Sequence, residues 1–245
     1  MAIARSKKTI HPVENTLPYP TSRFRNYIAR RNALDSDALY SVSNYVAETV
    51  QGEYGIETPV IHVGVDSAKF APSVKAGLDK RTVIFVGSFQ NRKNPQLVVE
   101  AAKKFPDVDF ILVGDGPLKG LINERAKDVP NVAVLPRMEE GDLIALYQRA
   151  DTLLFPSVHE GFPKVLVEAA ACGVPSIIFN NYRSEAVIDG RTGFIARDFT
   201  DMLDKLGKVL FVEGLGTRMG LAAREHAINF DWDTIVRKWE DEIEN

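Results

Sequence analysis

The chain has 245 residues, 45% hydrophobic and 26% charged, with a formal net charge of −3. That is enough chain for one large domain, or for one full domain and part of another. The charge excludes the domain-wide basic excess of a nucleic-acid binder, and the lone cysteine, Cys172, excludes an intrachain disulfide and argues against a cysteine-based metal site.

The opening MAIARSKKTIHPVENTLP carries basic residues but lacks the apolar stretch of a signal peptide. No run approaches the roughly 20 apolar residues that span a bilayer. A cytoplasmic chain is expected, with peripheral contact at the inner membrane face left open, since a small basic surface suffices for it. DALYSVSNYVAETVQGEYG (37–55) suggests one strand running into one helix, and TPVIHVGVD (58–66) another strand. One or two strands make no stable domain of their own. Residues 1–66 are therefore expected to be the remnant of a domain whose main part is absent; the alternative is that they extend the main sheet. Residues 67–80 read as a linker.

From residue 81 the pattern is regular. RTVIFVG (81–87), VDFILVG (108–114), NVAVLP (131–136), DTLLFP (151–156), PSIIF (175–179) and TGFIA (192–196) read as buried strands. NPQLVVEAAKKF (94–105), PLKGLINERAKD (117–128) and EEGDLIALYQRA (139–150) read as helices, with Pro95 and Pro117 in first turns. The alternation predicts an α/β fold: a doubly wound, Rossmann-like parallel sheet over 81–225. Residues 220–245 read as helices broken near Asp231, and 226–245 as a C-terminal crossover helix. Ligands of such sheets bind outside the carboxyl ends of the strands, here Gly87, Gly114, Pro136, Pro156 and Phe179.

The segment after the 151–156 strand, HEGFPKVLVEAAACGVP (159–175), raises a question of charge. Its helix, with Pro163 expected at the first position, is apolar on nearly every face and so should be buried. A bare carboxylate there would cost several kcal/mol, yet Glu168 lies in it. It could pair with Lys164 one turn earlier, bond donors of a neighbouring element, or face a cleft and accept ligand hydroxyls. Glu160 lies at the mouth of the same loop, Gly161 lets backbone approach a ligand, and the amides of Phe162 and Lys164 lie at a helix N-terminus, which attracts phosphate; Pro163 has no amide to offer. A sugar–diphosphate–nucleoside would use all of these groups.

In GSFQNRKNP (87–95), Arg92 and Lys93 place two cations after a strand end, either a solvated pair or charge stabilisation for a diphosphate leaving group. GDGP (114–117) is a lone G-x-G for which a tight turn suffices; Gly114 could also wall the site. Arg137 and Met138 could border a nucleobase, or Arg137 could be a surface arginine. Asn180, Asn181 and Arg183 should face the same cleft, with Glu185 capping a short helix beyond. His11, His62, His159 and His226 show no metal spacing, and no Ser/His/Asp arrangement can be assembled.

Together these motifs resemble retaining glycosyltransferases of the GT-B fold, family 4 (glycosyl transferases group 1), mainly their C-terminal donor-binding domain. The E-x7-E motif is Glu160 to Glu168; VGSFQNRKN, LVGDGP, ALYQRADTLLFPS and IDGRTGFIA fall in the family's order, and the resemblance covers roughly 37–245. It implies that Glu168 binds the donor ribose, Glu160 contacts the transferred sugar, and backbone around Gly161, Phe162, Pro163 and Lys164 holds sugar or phosphate. It further implies that Lys93 and Arg92 neutralise the diphosphate, while Gly87, Ser88, Gly114, Arg137 and Met138 complete the donor site. No metal and no cofactor is expected. The implied partners are a nucleotide-sugar donor, a sugar, lipid-linked or other acceptor, and an acceptor-domain partner chain. Two departures stand out: Ser88 occupies the position where the family usually has arginine, and most of the acceptor-binding domain has no counterpart. A non-catalytic nucleotide-sugar-binding subunit is the competing expectation. A GT-B-like epimerase would need an acid/base set that the sequence does not show.

Overall fold

The computed structural model describes residues 10–13, 38–73 and 80–244. The rest of the expected N-terminal remnant, residues 74–79 of the expected linker, and Asn245 lie outside the described residues. Two short strands, β1 (Ile10–Val13) and β2 (Ala38–Ser41), pair in parallel as a sheet of their own. They do not extend the main sheet. Helix α1 (Asn44–Tyr54) follows, N-capped by Ser43, whose hydroxyl accepts from the Val46 amide.

The main sheet holds β3 (Thr82–Val86), β4 (Asp109–Val113), β5 (Val132–Leu135), β6 (Thr152–Phe155), β7 (Ser176–Phe179) and β8 (Gly193–Ala196). All pairings are parallel, in the order β5-β4-β3-β6-β7-β8. Helices α2 (Pro95–Ala102), α3 (Lys119–Ala126), α4 (Glu140–Arg149) and α5 (Lys164–Ala171) make the crossovers. Every residue of β3, β6 and β7 is buried, which is why each, after a leading Thr or Ser, is an apolar run, whereas edge strand β5 is half exposed. The chain winds outward from β3 to β5, then returns to the other side of β3 with β6. The strand order thus reverses between β3 and β6, where sheets of this kind open a crevice.

Three expectations need correction. TPVIHVGVD forms no strand; it makes single bridges, Val60 to Ser41 and Val65 to Asp231. Its apolar side chains serve two different clusters, Ile61 with Tyr40 and Ile235, and Val65 with the main core, so no single neighbour runs alongside it. Pro163 is the N-cap, in extended conformation, and the first helical residue is Lys164. Pro117 likewise precedes its helix, whose N-cap is Leu118.

Beyond β8, residues 199–211 form α6 (Phe199–Phe211), an element outside the sequence reading, with Met202, Leu206, Val209 and Leu210 buried and Asp198 as N-cap. Then come α7 (Leu215–Ala227), a 3-10 turn (Ile228–Phe230) and α8 (Trp232–Glu244), with the break at Asp231 as expected. Val42, Val46 and Val50 join the core of the main sheet, while Tyr40, Ile61 and Ile235 form a small cluster with Trp239 packed on it. No helix among the described residues is long and apolar enough to cross a membrane.

Candidate functional site

A cleft of about 510 Å³ opens at the carboxyl ends of the strands. Gly87 and Ser88 after β3, Gly114 after β4, Arg137 and Met138 after β5, and Lys164 and Glu168 on α5 all line it. These are seven of the expected donor-binding residues, brought together from four separate strand ends. Its floor depends on glycine: a Cβ on Gly114 would stand 1.9 Å from the Gly87 carbonyl oxygen, and Gly114 has φ +158°. The two backbones cross too closely for any side chain.

Glu168 is 6% exposed. Two donors hold it. The Tyr147 hydroxyl donates to Oε2 at 3.1 Å, and the Lys164 ammonium lies 3.2 Å from Oε1. Tyr147 is wholly buried; burial, then the neighbouring Glu168, pushes its phenol well above the ordinary range, so it stays a donor. Lys164 is half exposed, and such a pair contributes about 0–1 kcal/mol. Two of the expected escapes are therefore realised together, an i, i+4 cation and a donor from α4, and the carboxylate also lines the cleft. Phe70 also lines the cleft, from within the stretch read as linker, and its ring packs on Tyr147.

The second glutamate sits in a different environment. Glu160 is 5% exposed and Lys93 8%. Glu160 Oε1 accepts from Arg92 Nη1 at 2.8 Å and from Ser157 Oγ at 2.5 Å, with Lys93 Nζ at 2.5 Å. Burial lowers the Lys93 pKa, Glu160 opposes that, and the Arg92 charge adds to it. The Lys93 ammonium also lies 4.7 Å from the Phe155 ring centroid. Arg92 and Lys93 lie in a 3-10 turn (Asn91–Lys93) before α2. Asn94, which follows with φ 48°, donates through Nδ2 to the Pro156 carbonyl; the Val158 amide and Ser157 hydroxyl both donate to the Arg92 carbonyl. These bonds stitch the loop after β3 to the loop after β6.

Arg92, Lys93, Glu160, Gly161, Phe162 and Pro163 do not line the 510 Å³ cleft. The Gly161 carbonyl accepts from Ser43 Oγ at 2.9 Å. The Phe162 ring packs with His62 and Phe230, at 5.1 and 5.3 Å between centroids. Only backbone is left at that residue for the expected ligand role. Of the first amides of α5, that of Leu166 donates to the Pro163 carbonyl at 3.0 Å; helix geometry gives those of Lys164 and Val165 no intrahelical acceptor.

The loop after β7 departs from expectation. Asn180, Asn181 and Arg183 are not in the cleft lining; Arg183 pairs with Glu48 of α1. Glu185 caps no helix beyond it, because the chain there turns directly into β8. Its carboxylate instead accepts from the Asn44 amide (2.7 Å) and side chain (2.8 Å) at the start of α1, and pairs with His62. Sequence reasoning missed Tyr147, Ser157 and Phe70; the first two lie inside the motif ALYQRADTLLFPS, which was the available signal.

A smaller hollow of about 260 Å³ lies at the amino ends of β3, β6 and β7. Its cations are committed: Arg81 pairs with Asp151 at 3.2 Å, and Arg224 donates to the Phe70 and Ala171 carbonyls, each at 2.8 Å. Cys172 there is buried, and burial pushes its thiol up to about 12, so it is no nucleophile. Among the described residues, no group of three His, Cys, Asp or Glu side chains is placed to hold a metal ion.

HepE of Anabaena, solved in complex with UDP and glucose, superimposes with a TM-score of 0.85 at 18% identity, over 96% of this chain and 71% of that one. Sucrose-phosphate synthase from Thermosynechococcus elongatus gives 0.84 at 20% identity, over 96% and 67%. At such identities the likeness speaks to the fold alone, and that fold is half of a GT-B architecture. In sequence, the D-inositol 3-phosphate glycosyltransferase of Mycobacteroides abscessus is 34% identical over 194 residues, 71% of this chain and 43% of that protein. Its namesake from Mycobacterium tuberculosis is 35% identical over 196 residues, 71% of this chain and 41% of that protein. The chain thus spans less than half the length of the curated relatives it matches. The family profile described as glycosyl transferases group 1 matches residues 66–226, a span that takes in every strand-end loop and both glutamates, and the chain belongs to that family.

Proposed function

We propose that this chain binds a nucleotide-diphosphate sugar and forms the donor half of a glycosyltransferase. One observation carries the reading. Glu168, buried at the wall of the strand-end cleft, has one oxygen fixed by Tyr147 and the other beside a half-exposed ammonium. A ribose diol can displace that ammonium at little cost. Arg137 and Met138 then border the base, and Gly87, Ser88 and Gly114 let the backbone approach the nucleotide. The diphosphate meets the start of α5 and, beyond it, Lys93 and Arg92.

In the transfer step the bond from the sugar C1 to the diphosphate oxygen breaks. The acceptor oxygen bonds to C1 on the same face, and its proton passes to the leaving phosphate oxygen. The configuration is retained. Lys93, Arg92 and the α5 amides neutralise the departing charge, the work a divalent ion would otherwise do. Glu160 holds the transferred sugar. The acceptor, a sugar or a lipid-linked group, is presented by an acceptor domain. In this reading residues 1–66 belong to that second domain, 67–80 link, 81–225 bind the donor and 226–245 cross back. The cluster of Tyr40, Ile61, Ile235 and Trp239, apart from the main core, supports the last assignment. The reading places the chain in the cytoplasm, at the inner membrane face when its acceptor is lipid-linked.

Calorimetric titration with UDP, GDP and ADP tests the proposal: one of them should bind, and Glu168→Ala should weaken it by about tenfold or more, as expected for hydrogen bonds to a charged group. Failure of all three to bind removes the donor site. Ser88 favours a second reading, a binding subunit without transfer activity, because Arg92 is occupied by Glu160 and does not line the cleft beside Ser88. Donor hydrolysis and transfer assays separate the two: binding without either reaction supports the subunit.

A further inference from the structure

Arg224, in the last turn of α7, lines the small hollow at the amino ends of the strands and not the donor cleft. Its Nη1 donates to two carbonyls, those of Phe70 and Ala171, each at 2.8 Å, from 154 and 53 residues away along the chain. Both lead back to Glu168. Phe70 lines the cleft, its ring centroid lies 6.2 Å from that of Tyr147, and the Tyr147 hydroxyl donates to Glu168 Oε2 at 3.1 Å. Ala171 is the last residue of α5, the helix that carries Glu168. The contacts close a circuit: Arg224, Phe70, Tyr147, Glu168, along α5 to Ala171, and Arg224 again.

The end of α5 leaves room for one such tie. The carbonyls of Glu168, Ala169 and Ala170 take the amides of Cys172, Val174 and Gly173, and that of Ala171 takes Arg224. A cation is favoured at a helix C-terminus as well. Hydrogen bonds to a ribose diol need their carboxylate in place to within about 0.5 Å. With the circuit closed, α5 cannot slide or tilt away from the Phe70 wall without stretching a bond to Arg224.

We propose that Arg224 is a positioning residue for the donor ribose: by tying the Phe70 wall to the end of α5, it fixes the place of Glu168 in the cleft. This rests on the donor-site reading above.

Arg224→Met keeps the aliphatic stem and removes the guanidinium. Water in the hollow can then satisfy both carbonyls, but it does not tie one to the other. The measurement is calorimetry, well below the Tm of each variant, with the best-binding of UDP, GDP and ADP and with its 2′-deoxy analogue. The unaltered chain should prefer the ribonucleotide by about tenfold, the worth of one hydrogen bond to a charged group. Arg224→Met should bind the ribonucleotide roughly 3–10-fold more weakly, and its preference should shrink to about twofold. Arg81→Met removes the other arginine of the same hollow, outside the circuit, and should leave the preference intact. In a Glu168→Ala background, Arg224→Met should cause no further loss. A preference kept in full by Arg224→Met would overturn the inference, as would equal weakening of the ribo and deoxy forms, which marks a general loosening of the fold. So would a preference lost equally in Arg81→Met, or a further loss in the Glu168→Ala background. All four leave the donor site standing. Equal affinity of the unaltered chain for the two forms would take the ribose away from Glu168, and this inference with it; no binding at all would remove the donor site itself.

Discussion

Glu160 and Glu168 belong to one short segment but are satisfied in opposite ways. Glu160 holds two cations and a hydroxyl on a single oxygen, deep in the protein. Glu168 holds a phenol and a half-exposed ammonium beside open space. Their mutational responses should differ accordingly. Glu160→Ala leaves the buried Lys93 unpaired and should cost about 3–5 kcal/mol in denaturant unfolding. Adding Lys93→Met should recover much of it, since the uncompensated charge goes. Tyr147→Phe leaves the Glu168 ion pair intact and removes one hydrogen bond; nucleoside diphosphate affinity should fall roughly 3–10-fold in calorimetry. The two glutamates and the basic pair were legible in the sequence because each sits in a recognisable strand-end loop. Tyr147 and Ser157 were not. The Tyr147 bond reaches across 21 residues, from a position that reads as ordinary core; Ser157 lies only three residues from Glu160, but a loop has no fixed period to bring the two side chains together, as a helix does for Lys164 and Glu168.

The strands were legible as elements because burial on both faces forces apolar runs, and β3, β6 and β7 are such runs after a leading Thr or Ser. TPVIHVGVD looked the same and is not a strand, because its side chains divide between two clusters and no strand accompanies it. Period alone does not say whether a neighbour exists. The approach of the β3 and β4 ends is a further matter of elements. Gly114→Ala would drive a methyl into the Gly87 carbonyl, backbone against backbone, where no side chain can swing away. It should destabilise by on the order of 3 kcal/mol in urea unfolding and should also impair nucleotide binding.

Across the whole molecule, the N-terminal segment is tied to the rest of the chain at several points. Ser43 bonds Gly161, Glu185 bonds Asn44 and His62, Arg183 pairs with Glu48, and the Trp232 ring covers Gly64, where a Cβ would stand 2.4 Å from it. Burial acts to raise the Glu185 carboxyl, but bonds from His62 and the Asn44 amide outweigh it and hold the carboxyl below its usual range. The unfolded chain therefore takes up this proton at higher pH than the folded one. The stabilisation is complete above the ordinary glutamate pKa and is lost as pH falls through the folded value. At neutral pH, Glu185→Gln should melt below the parent, and the gap should close as pH falls below about 4. Scanning calorimetry across pH checks this.

The sequence by itself determined the alternation of strands and helices, the strand-end positions where chemistry collects, and the spacing of the two glutamates. Local periodicity and turn residues suffice for those. Only the tertiary structure decided that β1 and β2 stand apart from the main sheet, that Arg92 and Lys93 rest on Glu160, and that Glu185 serves α1. Each of these turns on which buried charge or unpaired backbone lies nearest in space, and residues distant along the chain supply the partner.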